Sequence, residues 1–314
     1  MNADDMQQPF FCSELSRRAA EKTFGTASTG GTWLLLEYAG AWGPKALEES
    51  ALSPAIKAFF NQTFRAIPHS RLLFIKRGRV GGATVSFFVV RCREREPFVV
   101  KFELESYEQL LEIDIAAVRA GRSLEGGSIV REPLFLVCTH GRRDKCCAKF
   151  GMPIYSHLRE FAGESVWQSS HVGGDRFAAN LVCFPHGLFY AHMTEDAARR
   201  VVRQYGERRL VLDKYRGRAC YSHHVQAAEF FTRSETGATE LDALRFLDSV
   251  RRGEKSWRVR FAGMDAEKIY EADVSCRMSE FENYITCHDE AQKNVPQFML
   301  EDFRIVASPP DNPV

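Results

Sequence analysis

"LFLVCTHGRRDKCCAKFGMPIYSHLREFAG", residues 134 to 163, opens as a buried-type strand ending at Cys138, crosses a basic polar loop, and continues as a helix from about Cys147. "SVWQSS" then reads as a strand reaching His171, and "NLVCFP" and "GLFYAHM" as a strand pair across Pro185, His186 and Gly187. "TEDAARRVVRQYG" reads as a helix opened by Thr194, with Glu195 and Asp196 in its first turn. The order is β-α-β-β-β-α, and it places two chemically loaded stretches, "CTHGRRDKCCAKFG" (138–151) and "SSHVGGDRFAAN" (169–180), in loops at strand ends. Sheet-based folds usually carry their chemistry there.

Upstream the alternation is looser. "GTWLLLEYAG" (31–40), "SRLLFIKRG" (70–78), "ATVSFFVVRC" (83–92) and "PFVVKFEL" (97–104) are β-branched or aromatic runs bounded by Gly, Pro or charge, as strands are. "LSPAIKAFFNQTFRAI" (52–67) and "SYEQLLEIDIAAVRAG" (106–121) repeat apolar residues at helical spacing, the second closing on Gly121. The polar, Gly-rich "GRSLEGGSIVREP" (121–133) marks a boundary. Downstream, from about Tyr215, two helix-like stretches (223–233 and 239–251) precede the strands "SWRVRFAG" and "KIYEADVSC". The expected class is α/β, divided into an N-terminal α/β domain (1–127), a second compact domain (128–215) and a C-terminal α+β extension (216–314). No internal repeat or low-complexity segment stands out.

Composition narrows the function classes. Among 314 residues, 45% are hydrophobic and 12% aromatic, enough for a sizeable core. Lys and Arg number 42 against 41 Asp and Glu, so no global field recruits nucleic acid or an anionic membrane. "MNADDMQQPFFCSELSRRAAEK" has acids where an export signal has its basic region, and the apolar runs fall short of the roughly 20 residues that span a bilayer. A cytoplasmic protein is expected. Its 9 cysteines are odd in number and scattered, which suits reduced thiols or metal ligands better than a disulfide framework.

Cys138, Cys146 and Cys147 share a loop with Arg142, Arg143 and Lys145, cations that favour thiolates. Thiolates are soft donors, suited to zinc, copper(I) or iron–sulfur centres. A lone cysteine such as Cys183 is better read as a small core residue. In "HVGGD" two glycines permit a tight turn that brings His171 and Asp175 toward one point, although Asp175 also suits a helix cap. Trp33, Tyr38 and Trp42 read as core. Arg142, Arg143 and Arg176 either pair with Asp144 and Asp175 or offer a surface to an acidic redox partner. "GTASTGGTW" lacks the Gly-Lys-Ser/Thr of a phosphate loop and is a turn entering a strand.

Four segments, "CTHGRRDKCC", "WQSSHVGGDRFAANLVCFPHGLFY", "GTASTGGTWLLLEYAGAWGPKAL" and "KYRGRACYSHHVQAAEFFTR", resemble the sucrase/ferredoxin-like family, whose core is a thioredoxin-like ferredoxin. The resemblance spans most of the chain. It implies a 2Fe–2S cluster in the domain 128–215, with Cys138 and Cys147 as thiolate ligands and His171 as an imidazole ligand. Eukaryotic relatives with two histidine ligands carry them as His-x-x-x-His; here Asp175 stands at the second histidine's place, and Cys146 is the alternative fourth ligand. It further implies one-electron transfer to a redox partner protein rather than stand-alone catalysis. For the N-terminal domain it suggests an α/β fold, with a thioredoxin relationship as one option, that shields the cluster or receives the partner.

Two other classes use the same residues. Zinc in a closed tetrahedral site would take Cys138, Cys147, His171 and Asp175. A thiol oxidoreductase would use Cys146 or Cys147 as a nucleophile, against which the missing Cys-x-x-Cys counts. No pair of carboxylates marks a glycosidase, and the ligand spacing is not that of a Rieske centre.

Overall fold

The computed structural model describes residues 10–78, 84–122, 125–264 and 268–307. Parts of three sequence readings, the extreme N-terminal stretch 1–9, Ala83 at the start of the third expected strand, and 123–124 in the boundary segment, lie outside them.

After a short helix α1 (Cys12–Arg18), the chain runs β1 (Thr32–Glu37), α2 (Pro54–Ala66), β2 (Ser70–Lys76), β3 (Val85–Arg91), β4 (Phe98–Leu104), α3 (Ile115–Arg119) and β5 (Gly127–Val130). It then repeats the order: β6 (Leu134–Cys138), α4 (Lys145–Ala162), β7 (Val166–Ser169), β8 (Leu181–Phe184), β9 (Leu188–Tyr190), α5 (Glu195–Gly206) and β10 (Tyr215–Arg218). All ten strands form one mixed sheet, in the order β10-β9-β8-β6-β7-β2-β1-β3-β4-β5. In each half the first two strands are parallel, the third runs antiparallel beside the first, and the next two continue antiparallel to the outer edge. The second half has the thioredoxin-like arrangement. The first half has it too, a repeat of topology that the looser upstream alternation of strand and helix signals shows only in part. The halves meet through β2 and β7, their corresponding second strands, which pair antiparallel at Ile75–Ser169 and Lys76–Gln168.

Packing explains the layering. α2 and α3 cover the outer face of the first half, where Ile56 and Phe60 meet Leu34, Leu36, Phe87 and Val89. α4 and α5 cover the outer face of the second, where Leu158 and Val201 meet Phe135, Val137, Leu181 and Tyr190. The inner faces pack on each other without helices: Trp33 of β1 meets Phe184 and Phe189 at ring centroid distances of 5.6 and 5.7 Å, and Phe88 of β3 meets Trp167 of β7 at 5.7 Å. Those strands are not neighbours in the order, so the sheet is strongly curled. Along β1, Trp33 and Leu35 face the inner core and Leu34 and Leu36 the outer one, as the pleat requires.

Capping sets the helix starts. Ser53 accepts the Ile56 N–H ahead of Pro54 in α2, Asp144 accepts the Cys146 N–H ahead of α4, and Thr194 accepts the Ala197 N–H ahead of α5. Two expected helices are corrected. The segment 106–121 is a 3₁₀ turn (Tyr107–Glu112) followed by α3, broken where Ile113 is extended and the Asp114 side chain caps the new helix. The stretch 239–251 contains no helix: β11 (Leu244–Gly253) pairs along β12 (Ser256–Gly263), so sheet pairing overrides the helical spacing of its leucines. β12 continues to β13 (Lys268–Asn283) and β14 (Lys293–Ala307), a four-stranded antiparallel sheet backed by α6 (His223–Thr236). Arg218, Glu229 and Arg233, none more than 1% exposed, form a buried ion network that fastens α6 to β10. Among the described residues, no helix is long and apolar enough to cross a membrane.

Candidate metal centre

Cys138 is the last residue of β6, facing the inner core, and Cys147 lies in the first turn of α4. What brings the thiols together is a short loop and a glycine. Residues 139–144 turn the chain back at once, and Gly151, one helical turn beyond Cys147, lies against the strand end. A methyl group at Gly151 would stand 2.0 Å from the Cys138 carbonyl oxygen, so only glycine lets α4 approach this closely.

The third donor comes from the loop after β7. Gly173 and Gly174, with φ of +93° and +81°, fold "HVGGD" back on itself, and the backbone of this turn is held by Arg216: its guanidinium donates to the Gly173 carbonyl (2.9 Å) and to Asn180 Oδ1 (2.7 Å). Asn180 in turn donates to the Gly174 carbonyl at 2.9 Å. His140 fixes the other side. Its Nδ1 accepts the His171 N–H (3.1 Å) and its Nε2 lies 2.9 Å from the Gly43 carbonyl, which requires the neutral ring with the proton on Nε2.

The result is a compact donor set. Ligand atoms of Cys138, Cys147 and His171 all lie within 4.8 Å of one another. Asp175 adjoins them: Oδ1 accepts from the Cys147 thiol at 3.3 Å and sits 2.9 Å from His171 Nδ1. That second contact is not directed as a hydrogen bond, and Nδ1 is a buried nitrogen without an aligned partner. Cys146, the other candidate, is directed away on the helix and joins Cys12, Asp144 and Cys287 instead. Cys183 is fully buried in the outer core, apart from both groups.

The charges are arranged for a cation. The neighbouring Cys147 thiol, aided by His171, holds the Cys138 thiol well below its usual range despite burial. The same contact, with burial, pushes Cys147 well up. Burial opposes a charged His171, yet Asp175 and Cys138 together raise it to about 9. Burial likewise pulls Asp175 upward, and the His171, Cys147 and Arg143 contacts overcome it, keeping the carboxylate ionised. Two soft thiols, one imidazole and one carboxylate, buried and already drawn together, match the chemistry of a transition-metal or iron–sulfur site.

Outside the donor set, His171 borders a cleft of about 370 Å³ lined by Lys45, Leu47, Arg71, His140 and Arg143 among others. Of the two options for Arg176, pairing with Asp175 is not met; its Nε donates to Glu21 at 2.6 Å. Asp144 is no partner of the neighbouring arginines either, since its carboxylate accepts the backbone N–H groups of Cys146 and Cys287. Sequence reading passed over Gly151, Asn180, His140 and Arg216. The one local signal was the strand "YRGR", whose two arginines are out of place in a buried run unless they serve polar partners.

No curated protein and no solved structure matches the chain. The sucrase/ferredoxin-like family model matches residues 23–217, which include both halves of the curled sheet except the last residue of β10 and every member of the donor set. The chain therefore belongs to the sucrase/ferredoxin-like family.

Proposed function

We propose that the protein is an electron carrier that holds a 2Fe–2S cluster on Cys138, Cys147 and His171, with Asp175 as the fourth ligand. The observation that supports this reading is the grouping of a ring nitrogen of His171 with two thiols on separate elements, the three donor atoms all within 4.8 Å of one another. The cluster, when bound, supplies a one-electron couple. The chain's own residues set its terms. The Cys138 thiol is held well below its usual range, and His171, as a neutral donor, keeps one negative charge off the centre and makes reduction easier. Arg216 and Asn180 hold the ligand loop, and the inner core around Trp33, Phe184 and Phe189 excludes water behind Cys138. His171, 25% exposed, lies between the donor set and the cleft, and Lys45, Arg71 and Arg143 at that cleft suit an acidic redox partner.

Anaerobically purified protein is expected to be reddish-brown with about two irons and two sulfides per chain. Cys138→Ser and Cys147→Ser should each bleach it, and Cys183→Ser should leave it coloured. A colourless protein whose only metal is zinc lost on Cys138→Ser would overturn the reading in favour of a closed zinc site.

A further inference from the structure

Cys146 lies one residue from a ligand of the first centre and belongs to a different constellation. Its sulfur is 3.6 Å from that of Cys12 and 3.3 Å from that of Cys287, and the Cys287 and Cys12 sulfurs are 3.5 Å apart. Asp144 Oδ2 lies 3.9 Å from Cys12 Sγ, and donor atoms of all four residues fall within 4.8 Å of one another. We propose that Cys12, Cys146, Cys287 and Asp144 form a second metal site, which binds one zinc ion.

The near-equal edges of the sulfur triangle argue for a metal. Zinc–thiolate bonds of about 2.3 Å in a tetrahedron place sulfurs about 3.8 Å apart. A disulfide instead draws two sulfurs to about 2.0 Å and excludes the third. Here three thiols crowd one point with no edge distinguished. The surroundings are those of a closed structural site. Cys12, Cys146 and Asp144 are fully buried, Cys287 is partly so, and Phe10, Phe11, Phe150, Ala178 and Tyr284 pack around them. The Cys12 N–H points at Cys287 Sγ (3.4 Å), a donor that supports thiolate charge. Asp144 is oriented by two backbone N–H groups, Cys146 to Oδ1 at 2.8 Å and Cys287 to Oδ2 at 2.7 Å. With Lys145 and Lys149 close by over the Phe11 ring, the surplus negative charge of such a site is partly offset. Four protein donors and no open position fit a redox-silent tetrahedral ion better than a catalytic one.

The ligands come from α1, the first turn of α4 and the loop between β13 and β14. Cys12 and Cys287 lie outside residues 23–217, so this site is an addition to the family's shared region. Zinc there would staple both chain extensions to the helix turn that presents Cys147.

The test is elemental analysis of the full chain purified without chelator, read together with its visible spectrum. We expect about one zinc per chain, retained in Cys138→Ser and lost in Cys12→Ser and Cys287→Ser, while Cys287→Ser keeps its colour. To guard against misfolded variants, wild-type protein is titrated with a mercurial while a chromogenic chelator follows zinc release; zinc should leave as these thiols are modified. The proposal is overturned by a zinc-free wild type, whether mass analysis finds a disulfide or free thiols among the three cysteines. Zinc that persists in Cys287→Ser but vanishes in Cys138→Ser, or iron in place of zinc, overturns it equally.

Discussion

The two halves of the sheet share one topology, and only one of them carries a thiol at the end of its first strand. Glu37 pairs with Ile75 and follows Leu36, the partner of Phe87; Cys138 pairs with Ser169 and follows Val137, the partner of Leu181. Glu37 therefore occupies in the first half the place of Cys138 in the second. The difference lies in what fills the strand end. In the second half, residues 139–144 return directly to α4, and two cysteines meet. In the first, the longer loop 38–53 folds Tyr38 and Trp42 over the strand end, with Tyr38 stacked on Phe74 at 4.7 Å. The scaffold supplies a strand end beneath a helix start in both cases; loop length and side-chain choice decide between a thiol donor set and an aromatic plug. The plugged half still serves the other, since Gly43 in its long loop accepts the proton that fixes the His140 tautomer.

If the first half is scaffold, damage to its core should cost stability and leave metal binding alone. Phe60, fully buried on α2, is the place to strike: Phe60→Ala should lower unfolding stability by about 3–5 kcal/mol, with metal content per folded chain unchanged. Denaturant titration with metal analysis of the folded fraction checks both parts, and loss of metal in proportion to stability would break the comparison. The converse strike is Gly151→Ala. Its new methyl would run into the Cys138 carbonyl at 2.0 Å, and overpacking of this kind costs about 1–3 kcal/mol. Because α4 must retreat from β6 to accommodate it, most of the metal at Cys138 and Cys147 should be lost even though the global cost is smaller.

Acid should also separate the halves. The second half buries His186, whose Nδ1 meets the Tyr205 hydroxyl at 2.6 Å, and burial, with Arg218 nearby, drives its pKa down to about 3. His192 is lowered to about 3 as well, by burial and then Arg17. The folded state keeps these rings neutral while the unfolded chain protonates them near the ordinary value of about 6.5. Their contribution to stability is complete above that pH and is lost as pH falls toward about 3, at up to about 1.4 kcal/mol per pH unit for each. The first half has only the exposed His69. Hydrogen exchange at pH 7 and pH 5 should therefore show β8, β9 and α5 losing protection before β1 and β3.

Much of this architecture was legible in the chain, and the rest was hidden for identifiable reasons. The β-α-β-β-β-α order of the second half could be read because it depends on short-range signals, strand patterning and Thr194 at a helix start, whereas the Cys138, Cys147 and His171 grouping came from the family resemblance, with the two glycines of "HVGGD" as local support. The break at Asp114 was masked by apolar residues that keep a helical spacing across it. β11 was misread because Leu241, Leu244 and Leu247 fit a helix locally, and only pairing with β12 selects the strand. The twofold repeat of topology leaves no trace in residue identity, since Glu37 and Cys138 share a place and nothing else. The Cys12–Cys146–Cys287 group escaped for a different reason: its members are far apart in sequence, and proximity of that kind comes only from the tertiary fold.

The subtlest contrast concerns Asp175, the residue that departs from a two-histidine ligand pattern. Its Oδ1 is equally placed to bind iron or to steer Cys147 and His171 from outside. The two roles differ in how charge reaches the centre. A ligating carboxylate adds a full negative charge to the cluster and opposes reduction, so Asp175→His should raise the potential. It should also add a histidine-linked ionisation, visible as a potential that falls more steeply with rising pH, because loss of a ring proton favours the oxidised state. Asp175→Ala should leave a short-lived cluster with an altered spectrum. A carboxylate that only steers would act through His171, and its removal would shift the potential modestly while cluster lifetime and spectrum stay those of the parent. Redox titration across pH on the parent, Asp175→His and Asp175→Ala, with the decay of visible absorption followed in parallel, separates the cases. An Asp175→Ala protein that keeps its spectrum and lifetime would remove aspartate from the ligand set and leave it the part of holding His171 in place.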